Sequence, residues 1–289
     1  MLCSFTCLHM NVCIFNPEHD LCLAAGRANY VPPRSAVQFA LRDAAVMQPL
    51  YPDARCVSVY DTALPDLLRQ CNIISVWGWN AVLKRELLKR GASETLLPTD
   101  AEIACIRELQ HRATILPLQP DCHAVHDITE METLLRERGH WVMKAPWSGA
   151  GRGLRWVHGS LTAIDRHWIE KTVRQQRCVI AEPIRDVVAD VALEYRDGVF
   201  FGYSYFRTGS GVYKDNLPWT DGRIASAFPL TDVKARVETW IDANVTPHYH
   251  GPLGVDLMVC GDGSVHVAEV NFRHTMGMVA HERFQTINR

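Results

Sequence analysis

Apolar and polar positions follow two different periods along the chain. Over the first hundred residues, short runs such as "NVCIF", "ARCVSVY" and "NIISVW" are mostly apolar and β-branched, the pattern of strands buried on both faces. Between them, "PPRSAVQFALRDAAVM" spaces its apolar residues as a helix opened by prolines. "LPDLLRQ" reads as a short helix and "AVLKRELLKR" as a helix that stops at Gly91. Strands alternating with helices predict a parallel, doubly wound sheet. That is a fold class and carries no function by itself.

The pattern then changes. "DAEIACIRELQHRATI" and "TEMETLLRERG" predict helices joined by the proline-broken link "LPLQPD". Two strands, "HWVMKAP" and "LRWV", flank the glycine-rich "WSGAGRG", and the helix "SLTAIDRHWIEKTVRQQ" leads to a strand, "CVIAEPI". "VADVALEYRDGVFFGYSYFR" reads as an Asp-Gly hairpin with long strands. "TGSGVYKDNLPWTDGR" reads as a polar loop, "LTDVKARVETWIDANV" as a helix, and "GVDLMVCGDGSVHVAEVNFRHTMG" as a second hairpin around Gly-Asp-Gly. The chain has no internal repeat and no low-complexity tract.

Composition narrows the function classes. The 289 residues are 47% hydrophobic and 21% charged, an ordinary globular balance long enough for two domains. A formal net charge of −2 leaves no basic footprint for nucleic acid, and no apolar run reaches the ~18 residues of a membrane span. The ten cysteines are scattered through predicted core elements, which reads as reduced thiols in a cytoplasmic protein. With no C-x-x-C and no H-E-x-x-H, a zinc site is not expected. Residues 1–9 lack the positive n-region of a signal peptide. They read as a disordered extension or an upstream start before Met10.

The last hairpin poses a charge problem. If Asp262 and Gly263 are the central residues of a type I′ turn, Asp256 falls directly opposite Glu269. The period of two then places Asn271 and Arg273 on the face of Glu269, and Val255, Leu257, Val259, Ala268 and Val270 on the core face. Two charges about 5 Å apart repel by roughly 3 kcal/mol at an effective dielectric near 20. A cross-strand pair returns only about 0.2 to 1 kcal/mol. A shared proton, a bridging base such as Arg273, or a divalent cation would each compensate. Two carboxylates plus an amide oxygen form an all-oxygen set that suits Mg²⁺ or Mn²⁺.

The stretch "VMKAPWSGAGRGLRWV" joins strand to strand through Gly149, Gly151 and Gly153, with Lys144 at the end of the first strand. A Walker loop or a Rossmann loop would open a helix, and this one does not. By itself it reads either as a turn or as a backbone cradle for phosphate.

Together, Lys144 before a glycine loop, a strand ending at Glu182, G-x-D at 254–256 and E-x-N at 269–271 form an ordered set. It resembles the ATP-grasp superfamily over about residues 104–282. The resemblance implies an N-terminal parallel α/β (Rossmann-like, pre-ATP-grasp) domain over 1–103. A two-subdomain α+β ATP-grasp fold would follow over 104–289, small subdomain 104–184 and large subdomain 185–289. It further implies that Lys144 reaches the α- and β-phosphates of ATP, that the loop 148–153 (Ser148, Gly149, Gly151, Arg152, Gly153) closes over the triphosphate, and that Glu182 and the backbone near Ile184 face the adenine. Asp190 would meet the ribose, Lys214 the γ-phosphate, and Asp256, Glu269 and Asn271 the Mg²⁺ or Mn²⁺. Arg112 or Arg107 would stand for a basic residue ahead of the first grasp strand. Arg273 would stabilise an acyl phosphate or the adduct that follows it. Pro183 departs from the basic or aromatic residue many members carry after the hinge glutamate, and removes one backbone donor there.

The activity this implies is an ATP-dependent ligase joining a small-molecule carboxylate to an amine or thiol, with Lys144, Lys214 and Arg273 catalytic. A phosphotransferase on the same fold and a nucleotide-binding regulator remain alternatives. Twelve residues follow Gly277, fewer than in many relatives, so an edge of the acceptor site would be short or supplied by a second subunit of a homodimer. "NPEHDL" (Glu18, His19, Asp20) follows the first strand, where open α/β sheets bind ligands, and reads either as part of a site or as a solvated helix N-cap. Trp77 and Trp79 read as core packing, and His274 and His281 as acceptor-side or structural groups.

Overall fold

The computed structural model describes residues 10–149, 153–209 and 212–287, and the chain divides into two compact units, one reaching to Ile103 and one starting at Ala104. The expected features at 1–9, Gly151 and Arg152 lie outside the described residues. No helix among the described residues is long and apolar enough to cross a membrane, and their eight cysteines are free.

The first unit runs β1 (Met10–Phe15), α1 (His19–Ala25), α2 (Arg34–Arg42), β2 (Ala54–Ser58), α3 (Leu64–Leu68), β3 (Cys71–Val76) and α4 (Ala81–Lys89). Its sheet is wholly parallel in the order β2-β1-β3. Val12, Ile14, Val57 and Val76 of the strands pack with Leu64, Leu83 and Leu87 of the helices. The near-continuous apolar strands are thus explained by burial on both faces. Asn80 caps α4, its side chain accepting from Leu83 N–H.

In the second unit, α5 (Asp100–Leu109) contains the division, and β4 (His123–Val125), α6 (Ile128–Arg138), β5 (His140–Lys144), β6 (Leu154–His158), α7 (Ala163–Gln176) and β7 (Val179–Pro183) follow. Then come β8 (Val187–Arg196), β9 (Val199–Gly209), β10 (Val212–Leu217), α8 (Asp221–Ala227), α9 (Thr231–Asn244), β11 (Pro252–Cys260), β12 (Val265–Asn271) and α10 (Met276–Ile287). They build two antiparallel sheets, β4-β7-β5-β6 and β10-β9-β8-β11-β12. A parallel α/β unit followed by an α+β unit of two sheets is the expected fold class. α7 opens with a capping box between Thr162 and Asp165, and the β8–β9 turn has Asp197 and Gly198 at positive φ (54° and 78°), as a type I′ turn requires.

Two expectations about elements need correction. The helix expected over "DAEIACIRELQHRATI" ends at Leu109, where the Gln110 side-chain amide bonds the end of β12: its Nε2 donates to Val270 C=O (2.9 Å) and its Oε1 accepts from Phe272 N–H (2.8 Å). A 3₁₀ segment, Arg112–Leu118, replaces the rest. The polar "loop" after the first hairpin forms β10, an edge strand on β9, and then α8, capped by Thr220. Its polar residues suit an edge that alternation cannot reveal. The three-residue β4 is too short to show a period.

Candidate active site

The hairpin β11–β12 does place Asp256 directly opposite Glu269, though not through the expected turn. Cys260 N–H donates to Ser264 C=O and Gly263 N–H to Cys260 C=O, both at 2.9 Å, with Gly263 at φ +83°. This is a three-residue loop ending in a left-handed glycine, not a two-residue type I′ turn. It shifts the strands by one residue near the turn, so that Leu257 faces Val267. A bulge at Ala268 then restores the register for Asp256, Val255 and Gly254. The bulge also corrects the face of Ala268: it lines the cleft with Glu269, and does not point to the core.

Around the acids lies a cavity of about 320 Å³ between the two sheets of the second unit. β5 and β7 supply Val142, Lys144 and Glu182 from one face, and β8, β11 and β12 supply Asp190, Asp256 and Glu269. Its lining combines the apolar Val142, Trp156, Ile184, Phe206 and Met258 with the charged Arg112, Lys144, Glu182, Arg185, Asp190, Asp256 and Glu269. Lys144 Nζ binds Glu182 Oε2 at 2.7 Å, with both side chains buried. Asp190 accepts from Thr208 Oγ1 (2.7 Å), while burial pushes its carboxyl up.

Asp256 carries the largest strain of this group. Burial first, then the charges of Glu269 and Glu194, push its carboxyl up to about 8. Asn271 Nδ2 donates to Asp256 Oδ2 (3.2 Å), and Asn271 Oδ1 is buried with no partner among the described residues. Two facing carboxylates, one held protonated only by repulsion and burial, and an unused amide oxygen fit a hard divalent cation whose other ligands are not protein. No group of three or more His, Cys, Asp or Glu among the described residues is arranged to hold a metal ion, so Asn271 is essential to such a set.

The base that bridges to the pair is Arg112, where Arg273 was the expected candidate. Its Nη2 binds Glu269 Oε1 at 2.7 Å, and its Nη1 donates to Ala145 C=O (2.7 Å) and Ser148 Oγ (2.6 Å). One buried guanidinium therefore joins the carboxylate pair to the start of the glycine loop, a geometry that a lysine could not reproduce. The base of the loop is closed by Ala145 N–H to Gly153 C=O (2.9 Å). Gly153 sits at φ +73°, where a Cβ would lie 3.0 to 3.2 Å from Ser148 and Ala145 atoms. Ser148 and Gly149 lead into the loop from this clamp. Arg107 is not in the cleft: its guanidinium stacks 3.6 Å from the Trp147 ring centre.

The sequence matches no protein-family model and no curated protein. Solved structures do resemble it. D-cycloserine synthetase DcsG superposes with a TM-score of 0.58 at 11% identity over 96% of this chain and 99% of that one. D-alanyl-alanine synthetase A from Vibrio cholerae gives 0.53 at 11%, over 96% of each chain. N5-carboxyaminoimidazole synthetase from Staphylococcus aureus, complexed with ADP, gives 0.53 at 15%, over 94% of this chain and 73% of that one. The chain has the ATP-grasp fold.

On this ATP-grasp frame the remaining residues separate. Lys144, Glu182, Ile184, Asp190, Asp256 and Glu269 line one cavity. Lys214 stands on β10 in an adjoining depression that Asp190 also lines, its side chain over Gly209. Arg273 Nη1 donates to His274 C=O (3.0 Å), and its charge acts on both Asp256 and Glu194. Glu194 was missed. It is fully buried, accepts from Ser204 Oγ (2.9 Å) and Thr275 Oγ1 (2.9 Å), and is pushed up to about 7 by burial. A Cβ at Gly277 would fall inside its carboxyl group. The available signal was parity: Asp190 and Glu194 share a face of β8.

In the first unit, "NPEHDL" is not a solvated cap. Glu18 and His19 are buried, and Glu18 makes no side-chain cap bond to α1. Asn16 pairs with the Gly78 backbone (2.8 and 3.3 Å), Tyr60 Oη donates to Glu18 Oε1 (3.1 Å), and burial pushes Glu18 up to about 7. Trp77 packs edge-on against Phe15, as core packing predicts.

Proposed function

We propose that the chain is an ATP-dependent ligase that activates a substrate carboxylate for attack by an amine or thiol, forming a C–N bond in the preferred case. The observation that carries this reading is one cavity lined by apolar side chains, a lysine, an arginine and two facing carboxylates. The adenine would lie beside Glu182 and Ile184, and Asp190 would meet the ribose. Lys144, Arg112 and the loop 148–153 would hold the triphosphate, with Lys214 approaching its γ end. Asp256, Glu269 and Asn271 would hold Mg²⁺ or Mn²⁺, which supplies neutralisation of phosphate charge. The ligase names of the solved structures with this fold support the same reading.

In the reaction, a substrate carboxylate oxygen forms a bond to the γ-phosphorus as the bond to ADP breaks. The amine nitrogen or thiol sulfur then bonds to the acyl carbon, phosphate departs, and the nucleophile loses its proton. Arg273 would stabilise the charge that develops on the acyl group. Positioning and charge neutralisation would do most of the work, which accounts for basic groups and carboxylates in the cavity lining. Purified protein with ATP, Mg²⁺ and pooled amino acids should release ADP only when both a carboxylate and an amine or thiol are present. Release with phosphate retained on a single acceptor would replace the ligase by a phosphotransferase.

A further inference from the structure

A second, larger cavity of about 520 Å³ lies wholly within the second unit, between the β9–β10 edge, α8 and α10. It falls in the range of roughly 300–1,000 Å³ typical of small-molecule sites. Its position follows from the pleat. Ser204 lines this cavity, and Phe206, two residues along β9 on the same face, lines the nucleotide cleft. Same-face neighbours on a strand are about 7 Å apart. Ser204 pairs with Ala192, and Ala192 pairs with Asp256, so two strand spacings, about 10 Å, separate the cavity wall from the carboxylate pair. Both cavities therefore open on one face of one sheet.

The walls define the guest. Trp219, Met276, Val279 and Phe284 give an apolar and aromatic lining. Three charged side chains line it: His281 Nε2 faces Asp221 Oδ2 at 3.4 Å, Asp221 holds the imidazole pKa above its usual value, and Arg283 of α10 adds an exposed cation. Asn216 Oδ1 and His281 Nδ1 are buried without partners among the described residues, which leaves hydrogen-bonding capacity in the wall. Asn216 Nδ2 is fixed on Met276 C=O (2.8 Å). The apolar and aromatic walls favour a bulky apolar group over a free ammonium, and Arg283 is the one lining charge outside the Asp221–His281 pair.

We propose that this cavity is the specificity pocket of the ligase, and that the carboxylate substrate carries an aromatic or bulky apolar group which fills it. The substrate's carboxylate then lies towards Arg273 and the Asp256–Glu269 pair, while its side chain is buried between β9 and α10. The proposal rests on the ligase reading for the word substrate, but the pocket can be tested without turnover.

The probes are phenylalanine (both enantiomers) and 3-phenylpropionate, with alanine and propionate as small controls, titrated by calorimetry against the full chain with and without ADP and Mg²⁺. At least one aromatic probe should bind about tenfold or more tighter than its small control, the gain from burying a ring. Ala280→Phe, which fills the chamber from α10, should abolish that preference while ADP affinity stays within about twofold. If Ala280→Phe does not fold, Phe284→Ala should weaken the aromatic probe several-fold. Equal affinity for large and small probes, or an aromatic preference that survives both variants, would overturn the pocket. Absence of ADP binding alongside intact aromatic preference would instead sink the ligase reading and leave the pocket standing.

Discussion

Asp256→Asn should stabilise the metal-free protein and abolish its response to Mg²⁺. The wild-type carboxyl is raised from 3.8 to about 8, chiefly by burial and then by Glu269. Its folded-state pKa lies above its unfolded value, so the folded state binds the extra proton. Stability is therefore lost as pH rises between the two values. Converting the whole displacement sets a ceiling of roughly 6 kcal/mol above pH 8, at 1.36 kcal/mol per unit. The charge pair alone accounts for roughly 3 kcal/mol. Arg112 on Glu269 and the open side of the cleft screen part of this, so an advantage of about 2 to 3 kcal/mol is expected for the variant at pH 8.5. That corresponds to a melting temperature higher by roughly 5 to 10 °C. At pH 4 the two proteins should melt together. Added Mg²⁺ should raise the wild type by mass action and leave the variant unmoved. Thermal melts at pH 4, 6.5 and 8.5, with and without Mg²⁺, test all of this. A variant less stable than wild type at pH 8.5, or equally shifted at pH 4, would refute the view of these acids as a frustrated pair awaiting a cation.

Glu269→Gln should eliminate Mg²⁺-dependent ADP release while the far-ultraviolet circular dichroism is unchanged; full activity would remove Glu269 from the site. Arg112→Met removes a buried guanidinium bonded to Glu269, Ala145 and Ser148. It should lower stability by about 3 kcal/mol or more and weaken ATP binding, as urea titration and calorimetry would report. Gly153→Ala places a Cβ at φ +73° against Ser148 and Ala145, and should cost about 1 to 3 kcal/mol in a denaturation midpoint. Glu194→Gln should flatten the fall in stability between about pH 4.5 and 7, because the folded wild-type carboxyl, pushed up to about 7, keeps its proton over that window while the unfolded chain releases it.

Much of the site was legible because strand chemistry is periodic. The facing of Asp256 and Glu269 follows from alternation and local spacing, whereas Lys144 and Glu182 were singled out by the resemblance of their order in the chain; all four fall on the cavity. The facing of the two acids was anticipated from a two-residue turn, whereas the chain uses a three-residue loop and a bulge at Ala268 whose shifts cancel. A pattern of twos cannot register a bulge, so the face of Ala268 was misjudged. β10 and α8 were hidden because a polar edge strand and a short capped helix leave no apolar stripe. What the sequence determined by itself was the parallel first unit and the order of the candidate site residues along the chain. Which arginine holds Glu269, where Gln110 ends α5, and why Glu194 is sealed beneath Gly277 were decided only by tertiary structure. Those contacts join residues up to 162 positions apart, and contacts of that range leave no local period to read.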